Sequence, residues 1–116
     1  MLAGRYNMVC DQGSTFQRVL EIKDADGVAF PLTGYTARMQ IRRDVDATSS
    51  VMELTSANGR IAISAALGAI TITLTPELTA TLTRSGVYDL EIVKTATGAV
   101  YKVVRGEFRV EKEVTR

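Results

Sequence analysis

Three kinds of side chain in this sequence could do chemistry: one thiol, carboxylates in turns, and a cluster of arginines. The thiol is Cys10, the single cysteine. A reactive thiolate needs a neighbour that lowers its pKa, often a histidine, and the chain has no histidine. The commonest general base and the commonest metal ligand are missing together. Cys10 therefore reads as a buried thiol, with no second cysteine for an intrachain disulfide. Asp24-Ala25-Asp26-Gly27 brings two carboxylates close, but a calcium loop needs further oxygen ligands and a late bidentate acid at set spacing. None follows, so the segment reads as a turn in which the acids bond local backbone and Gly27 takes positive φ. Arg38, Arg42 and Arg43 could contact phosphate. No aromatic is interleaved with them, as a single-strand binder requires, and a solvated sheet face paired with acids such as Asp89 and Glu91 is expected instead. The acids fall in turns or on polar strand faces, where solvation explains them. No enzyme activity, cofactor or metal is expected.

The elements that hold these groups show best between Ala69 and Ile92. Ile70, Ile72 and Leu74 alternate with Thr71, Thr73 and Thr75; Tyr88, Leu90 and Ile92 alternate with Asp89, Glu91 and Val93. Period two predicts strands with one apolar face. Whatever sheet the chain builds, these two are expected near its centre. Between them Thr75 can cap a short helical turn near 76–82, with Pro76 at its first position and Glu77 at the positive end of its dipole. Leu78 and Leu82 share one face of that turn and can close the bottom of a core. Gly86 is expected to supply the turn into the next strand. The spacing Leu82, Gly86, Tyr88, Leu90 is similar to the corner before the sixth strand of immunoglobulin-like sandwiches, where a tyrosine hydroxyl bonds nearby backbone. Leu90 then falls where antibody domains place a cysteine.

Elsewhere the pattern predicts strands at Tyr6–Cys10, Thr15–Lys23, Val28–Phe30, Thr36–Arg43, Val51–Thr55, Arg60–Ser64 and Ala99–Glu111. Leu32, Gly34 and Tyr35 form a corner; Ser56-Ala57-Asn58-Gly59 is a turn. In the first long strand Arg18 interrupts the apolar face, and its guanidinium is expected to snorkel to a rim or pair with a carboxylate. In the last strand Gly106 marks a bulge, and Lys102, on the parity of Val104 and Phe108, signals a local register shift. About eight short strands spaced by turns predict an all-β, single immunoglobulin-like antiparallel β-sandwich. One domain is expected over residues 1–116, with 1–13 as an N-terminal arm or edge strand and 111–116 as a tail.

The 14 basic and 13 acidic residues leave a formal net charge of +1, so no global field draws the chain to nucleic acid or a membrane surface. No run of about 18 apolar residues is present, and the first residues lack the apolar core of a signal peptide. A reducing cytoplasm is the expected site of synthesis.

Four stretches together carry a resemblance: QGSTFQRVLEIKDADGVAFPLTGYTARMQIRR, NGRIAISAALGAITITLTPELTATL, GVYDLEIVKTATG and VVRGEFRVEKEVTR. The chain resembles the small β-sandwich structural proteins of tailed bacteriophages and prophages, and is similar to the N-terminal domain of baseplate upper proteins. The resemblance spans about Asp11 to Arg116, and its pieces are fold signatures rather than catalytic motifs. It implies that Leu32, Gly34 and Tyr35 build a corner while Tyr88 and Leu90 fill the core. It also implies a virion component, in the tail before the head, partnered by further copies of itself and by other phage structural proteins. Relatives that become fibres continue past the sandwich; with the chain ending at Arg116, an adaptor, hub decoration or collar piece is expected. Edge strands are the expected means, with Ala3–Cys10 and Glu111–Arg116 pairing with neighbours and Arg38, Arg42, Arg43, Glu107, Arg109, Glu111 and Lys112 setting the register between subunits. Capsid decoration is the second reading. A glycan-binding module stacking sugars on Tyr6, Tyr35 or Tyr101 is the third.

Overall fold

The computed structural model describes residues 4–115. Met1 to Ala3 and Arg116, parts of the expected arm and tail, lie outside them. In chain order the elements are β1 (Gly4–Arg5), β2 (Met8–Asp11), β3 (Phe16–Glu21), β4 (Tyr35–Arg42), β5 (Met52–Thr55), β6 (Ile61–Ser64), β7 (Ala69–Leu74), α1 (Pro76–Ala80), β8 (Gly86–Lys94) and β9 (Val100–Glu111). They form two layers. The larger sheet runs β1-β9-β8-β4-β5, with β2 also on β9; the smaller runs β3-β7-β6.

The strands flanking α1 are each central, but in different sheets, which corrects the expectation of one shared sheet. Period two explains the interface. Ile70, Ile72 and Leu74 of β7 share one buried cluster with Tyr88, Leu90 and Ile92 of β8, and Leu90, Ile92, Ile70, Ile72 and Leu74 are fully buried. Ala37, Met39 and Ile41 of β4, Leu54 of β5 and Phe108 of β9 complete the seam. The Phe16 and Phe108 rings meet across it, 5.4 Å between centroids.

α1 starts as its sequence dictates: the Thr75 hydroxyl accepts from the Leu78 N–H and Pro76 opens the turn. Leu82 is fully buried below it. Thr79, absent from the sequence reading, is the buried polar residue among the described residues. Its hydroxyl accepts from the Gly13 N–H at 3.0 Å and donates to the Ser14 carbonyl at 2.8 Å, fastening the β2–β3 turn to the helix.

Four expectations change. The sheet is not wholly antiparallel: β1 and β2 run parallel to β9. Val28–Phe30 is no strand; only the bridge Lys23–Ala29 forms there. The β9 bulge falls at Val103, between the pairs Leu90–Val104 and Glu91–Lys102, so Lys102 points to the outer face. Gly106 has a different role. A Cβ there would collide with the Tyr6 carbonyl and the Asn7 side chain, so glycine lets the β1–β2 link run close beside β9.

That link is a strap. Tyr6 N–H donates to the Arg105 carbonyl at 2.9 Å, and Asn7 Oδ1 accepts from the Glu107 N–H at 2.9 Å, filling the rung the backbone leaves. The freed Tyr6 carbonyl turns inward and accepts from the buried Tyr88 hydroxyl. Tyr88 thus bonds backbone, as a corner tyrosine does, but the backbone is the N-terminal strap rather than the segment just upstream. Gly106→Ala should push the strap off β9 and lower stability by about 1–3 kcal/mol. A fall in urea midpoint together with new proteolytic cleavage near Tyr6 checks this; an unchanged midpoint contradicts it.

Candidate functional site

The outer face of the larger sheet carries a shallow groove of ≈ 970 Å³ that crosses all its long strands. The register lays one row across it: Arg5 opposite Arg105, Arg105 opposite Asp89, Asp89 opposite Gln40, Gln40 opposite Glu53. The neighbouring row is Lys102, Glu91, Arg38 and Thr55. These positions point outward because their strand neighbours point into the seam.

Glu91 is the hub of the second row. It takes Arg38 on one side and Lys102 on the other, at 2.5 Å from the latter, with its side chain 12% exposed. Lys102 also reaches Asp89 at 3.0 Å. Burial pushes the Glu91 carboxyl up, but hydrogen bonds and charge from Lys102 and Arg38 outweigh it and hold the group below the usual range. The hydrogen bond to Glu91 raises Lys102 in turn, against its own desolvation. In the first row the Gln40 amide donates to Glu53 at 2.8 Å, and Arg42 donates to Gln40 Oε1 at 2.7 Å and to the Ala47 carbonyl at 2.8 Å. Arg5 and Arg105 are left over. Among the described residues neither has a carboxylate within 4.0 Å.

The structure divides the residues expected at a subunit interface. Arg38 and Arg42 lie on this face, engaged with the chain's own partners. Arg38 takes Glu91 as expected, whereas Asp89 pairs with Lys102 rather than with an arginine. Arg43 and Arg109 line a second, smaller depression with Ser85, Val87 and Glu107. Arg109 pairs with Glu111 at 2.9 Å, and Lys112 is exposed beyond β9. The expected tail is partly used at home. Asp11 pairs with Glu111, Gln12 N–H donates to the Glu111 carbonyl at 2.8 Å, and Glu113 N–H donates to Gln12 Oε1 at 3.1 Å. The arm is also used, because β1 and β2 already pair with β9.

Leu32 is buried, Gly34 has φ +83°, and Tyr35 N–H donates to the Leu32 carbonyl at 3.1 Å, so these three do turn a corner. Leu82, Tyr88 and Leu90 are buried in the seam. Gly86 makes no positive-φ turn. It opens β8, where a Cβ would collide with the Arg42 carbonyl. The Tyr35 and Tyr101 rings meet at 6.4 Å between centroids, and Phe30 meets Tyr35 at 6.1 Å; Tyr6 sits apart on the strap. Arg18 reaches a rim: it stacks 4.6 Å over the Phe16 ring and donates to the Val9 carbonyl at 2.9 Å, spanning the layers. Sequence reasoning missed Arg5 and Arg105, because only the parallel register of β1 on β9 places them side by side.

Cys10 is fully buried. Burial pushes its thiol up to about 11, the Asp11 charge adds to that, and the Arg18 charge opposes it. Among the described residues no group of three or more His, Cys, Asp or Glu could hold a metal, and no helix is long and apolar enough to cross a membrane.

No protein-family model matches this chain, and no curated protein matches it by sequence. Among solved structures it is similar to the NK cell receptor Nkp44, a triggering partner in natural cytotoxicity. The TM-score is 0.52 at 19% identity, covering 96% of this chain and 100% of that one. The likeness shows the fold: an all-β, immunoglobulin-like sandwich.

The depressed Glu91 fixes a sign. Its contribution is complete above the unfolded carboxyl pKa of about 4.3 and is lost as pH falls through the lower folded value. Glu91→Gln should therefore flatten the loss of stability below about pH 4, measured as urea midpoint against pH; an identical acid limb contradicts the pairing. Native Cys10 should resist a thiol reagent at neutral pH and react fully in denaturant, and rapid native labelling contradicts the burial.

Proposed function

We propose that this protein is a non-enzymatic structural component of a tailed-phage particle. It is an adaptor in the tail, baseplate or collar that joins neighbouring proteins by packing, and it is made in the host bacterial cytoplasm. The observation that carries this reading is the row ending in Arg5 and Arg105. Two guanidinium groups side by side repel one another, and the nearest acid of the row, Asp89, is held by Lys102. An acidic surface on a neighbouring protein would complete the row, at a rigid sheet face that needs no rearrangement to bind. The four stretches that resemble phage baseplate sandwiches support the setting. Capsid decoration uses the same face and differs in number: a shell needs hundreds of copies, a tail ring tens at most.

The test is mass spectrometry of purified particles made with wild-type chain or with Arg5→Glu and Arg105→Glu together. The wild type should be present in low copy number, and the doubly reversed chain should be folded but depleted at least tenfold. Particles that never contain the wild-type chain overturn the reading, and undiminished incorporation of the variant removes this face from it.

A further inference from the structure

A sandwich has four sheet edges, and an edge is open only where its backbone groups lack partners. In the larger sheet the chain's own side chains and turns cap part of each edge. On β5 the Thr55 N–H donates to Asn58 Oδ1 at 3.0 Å, and the Glu53 carbonyl accepts from Asn58 Nδ2 at 3.1 Å and from Arg60 at 2.9 Å. On β2 the Val9 carbonyl accepts from Arg18, and the Asp11 carbonyl accepts from the Ser14 N–H at 3.1 Å.

The smaller sheet is different. Ile22 N–H donates to the Gly68 carbonyl at 2.7 Å, which turns the backbone of Ile22, and by alternation that of Leu20, Arg18 and Phe16, toward β7. Gln17, Val19 and Glu21 then face outward. The Gln17 carbonyl accepts one bond from Arg18 at 2.8 Å, while Val19 and Glu21 have no backbone partners among the described residues. All three side chains are exposed, and Val19 is 57% exposed in the middle of the strand. The β6 edge is weaker: of its two outward-facing residues, Ile61 is buried.

We propose that the β3 edge pairs antiparallel with the β3 edge of a second copy, about a two-fold axis through Val19, giving a continuous sheet across the dimer. The sequence of β3 complements itself in this register. Val19 meets Val19 of the second copy, exchanging both backbone bonds and burying two exposed valines together. Gln17 meets Glu21 of the second copy, amide against carboxylate, and Thr15 meets Lys23. A contact of this kind is isologous. Centring on Glu21 instead would oppose two carboxylates, and a slip of one residue would oppose outward-facing to inward-facing backbone. The inference deepens the assembly reading by naming one partner and one edge.

The test is sedimentation velocity of the isolated full chain with two variants. Wild type should sediment as a dimer, and Val19→Asp, an exposed change that opposes like charges at the axis, should be folded and monomeric. Val19→Cys should form an intermolecular disulfide under mild oxidation, because facing residues in such a pair stand about 5.5 Å apart at Cα. A monomeric wild type, a Val19→Asp dimer, or Val19→Cys without cross-linking overturns the proposal. A monomeric wild type that still enters particles overturns the dimer alone; a dimer that never enters particles overturns the particle reading alone.

Discussion

Every strand at the edge of a sheet leaves a row of amides and carbonyls that must find partners, and this constraint organises the molecule. The larger sheet meets part of it internally. Its N-terminal margin is strapped onto β9, with Asn7 supplying the missing acceptor and Tyr88 taking the displaced Tyr6 carbonyl. At its far margin Asn58 and Arg60 cap the Thr55 N–H and the Glu53 carbonyl. The smaller sheet keeps backbone groups exposed at β3. The asymmetry follows from side chains placed one by one, since nothing in the sandwich architecture requires it.

The two layers divide labour in the same way. Their shared seam is apolar and close-packed, and it holds both faces rigid. The outer face of the larger sheet is a lattice of charges in which Glu91 anchors Arg38 and Lys102. Surface ion pairs contribute only about 0–1 kcal/mol each, so this lattice is better suited to selecting a partner than to holding the fold. Gly86 and Gly106 serve close approach, letting neighbouring backbone lie where a side chain would block it.

The alternations over 70–74 and 88–92, the cap at Thr75 and the corner at Leu32–Tyr35 were all legible in the sequence, because each is local and follows period or turn chemistry. Lys102 gave away the register shift, since a lysine cannot remain on a buried parity. The rest depended on pairing between distant segments. Nothing local says that β7 and β8 part into separate sheets, that β1 and β2 run parallel to β9, or that Gly106 yields to Tyr6 rather than bulging. The charged site was half visible: Arg38, Arg42, Asp89 and Glu91 were found by parity. Arg5 and Arg105 became neighbours only through a parallel register. Local pattern alone suggests free edges at the arm and tail, yet a strand can serve a neighbour only if its own chain has not already claimed it.

Residue-resolved amide hydrogen exchange on the isolated chain, diluted and then concentrated, tests the edge asymmetry most directly. Slow exchange is expected at Thr55 and Glu107 under both conditions, with fast exchange at Val19 and Glu21 on dilution that becomes slow on concentration. Slow exchange at Val19 in the dilute chain, or fast exchange at Thr55 and Glu107, would contradict it.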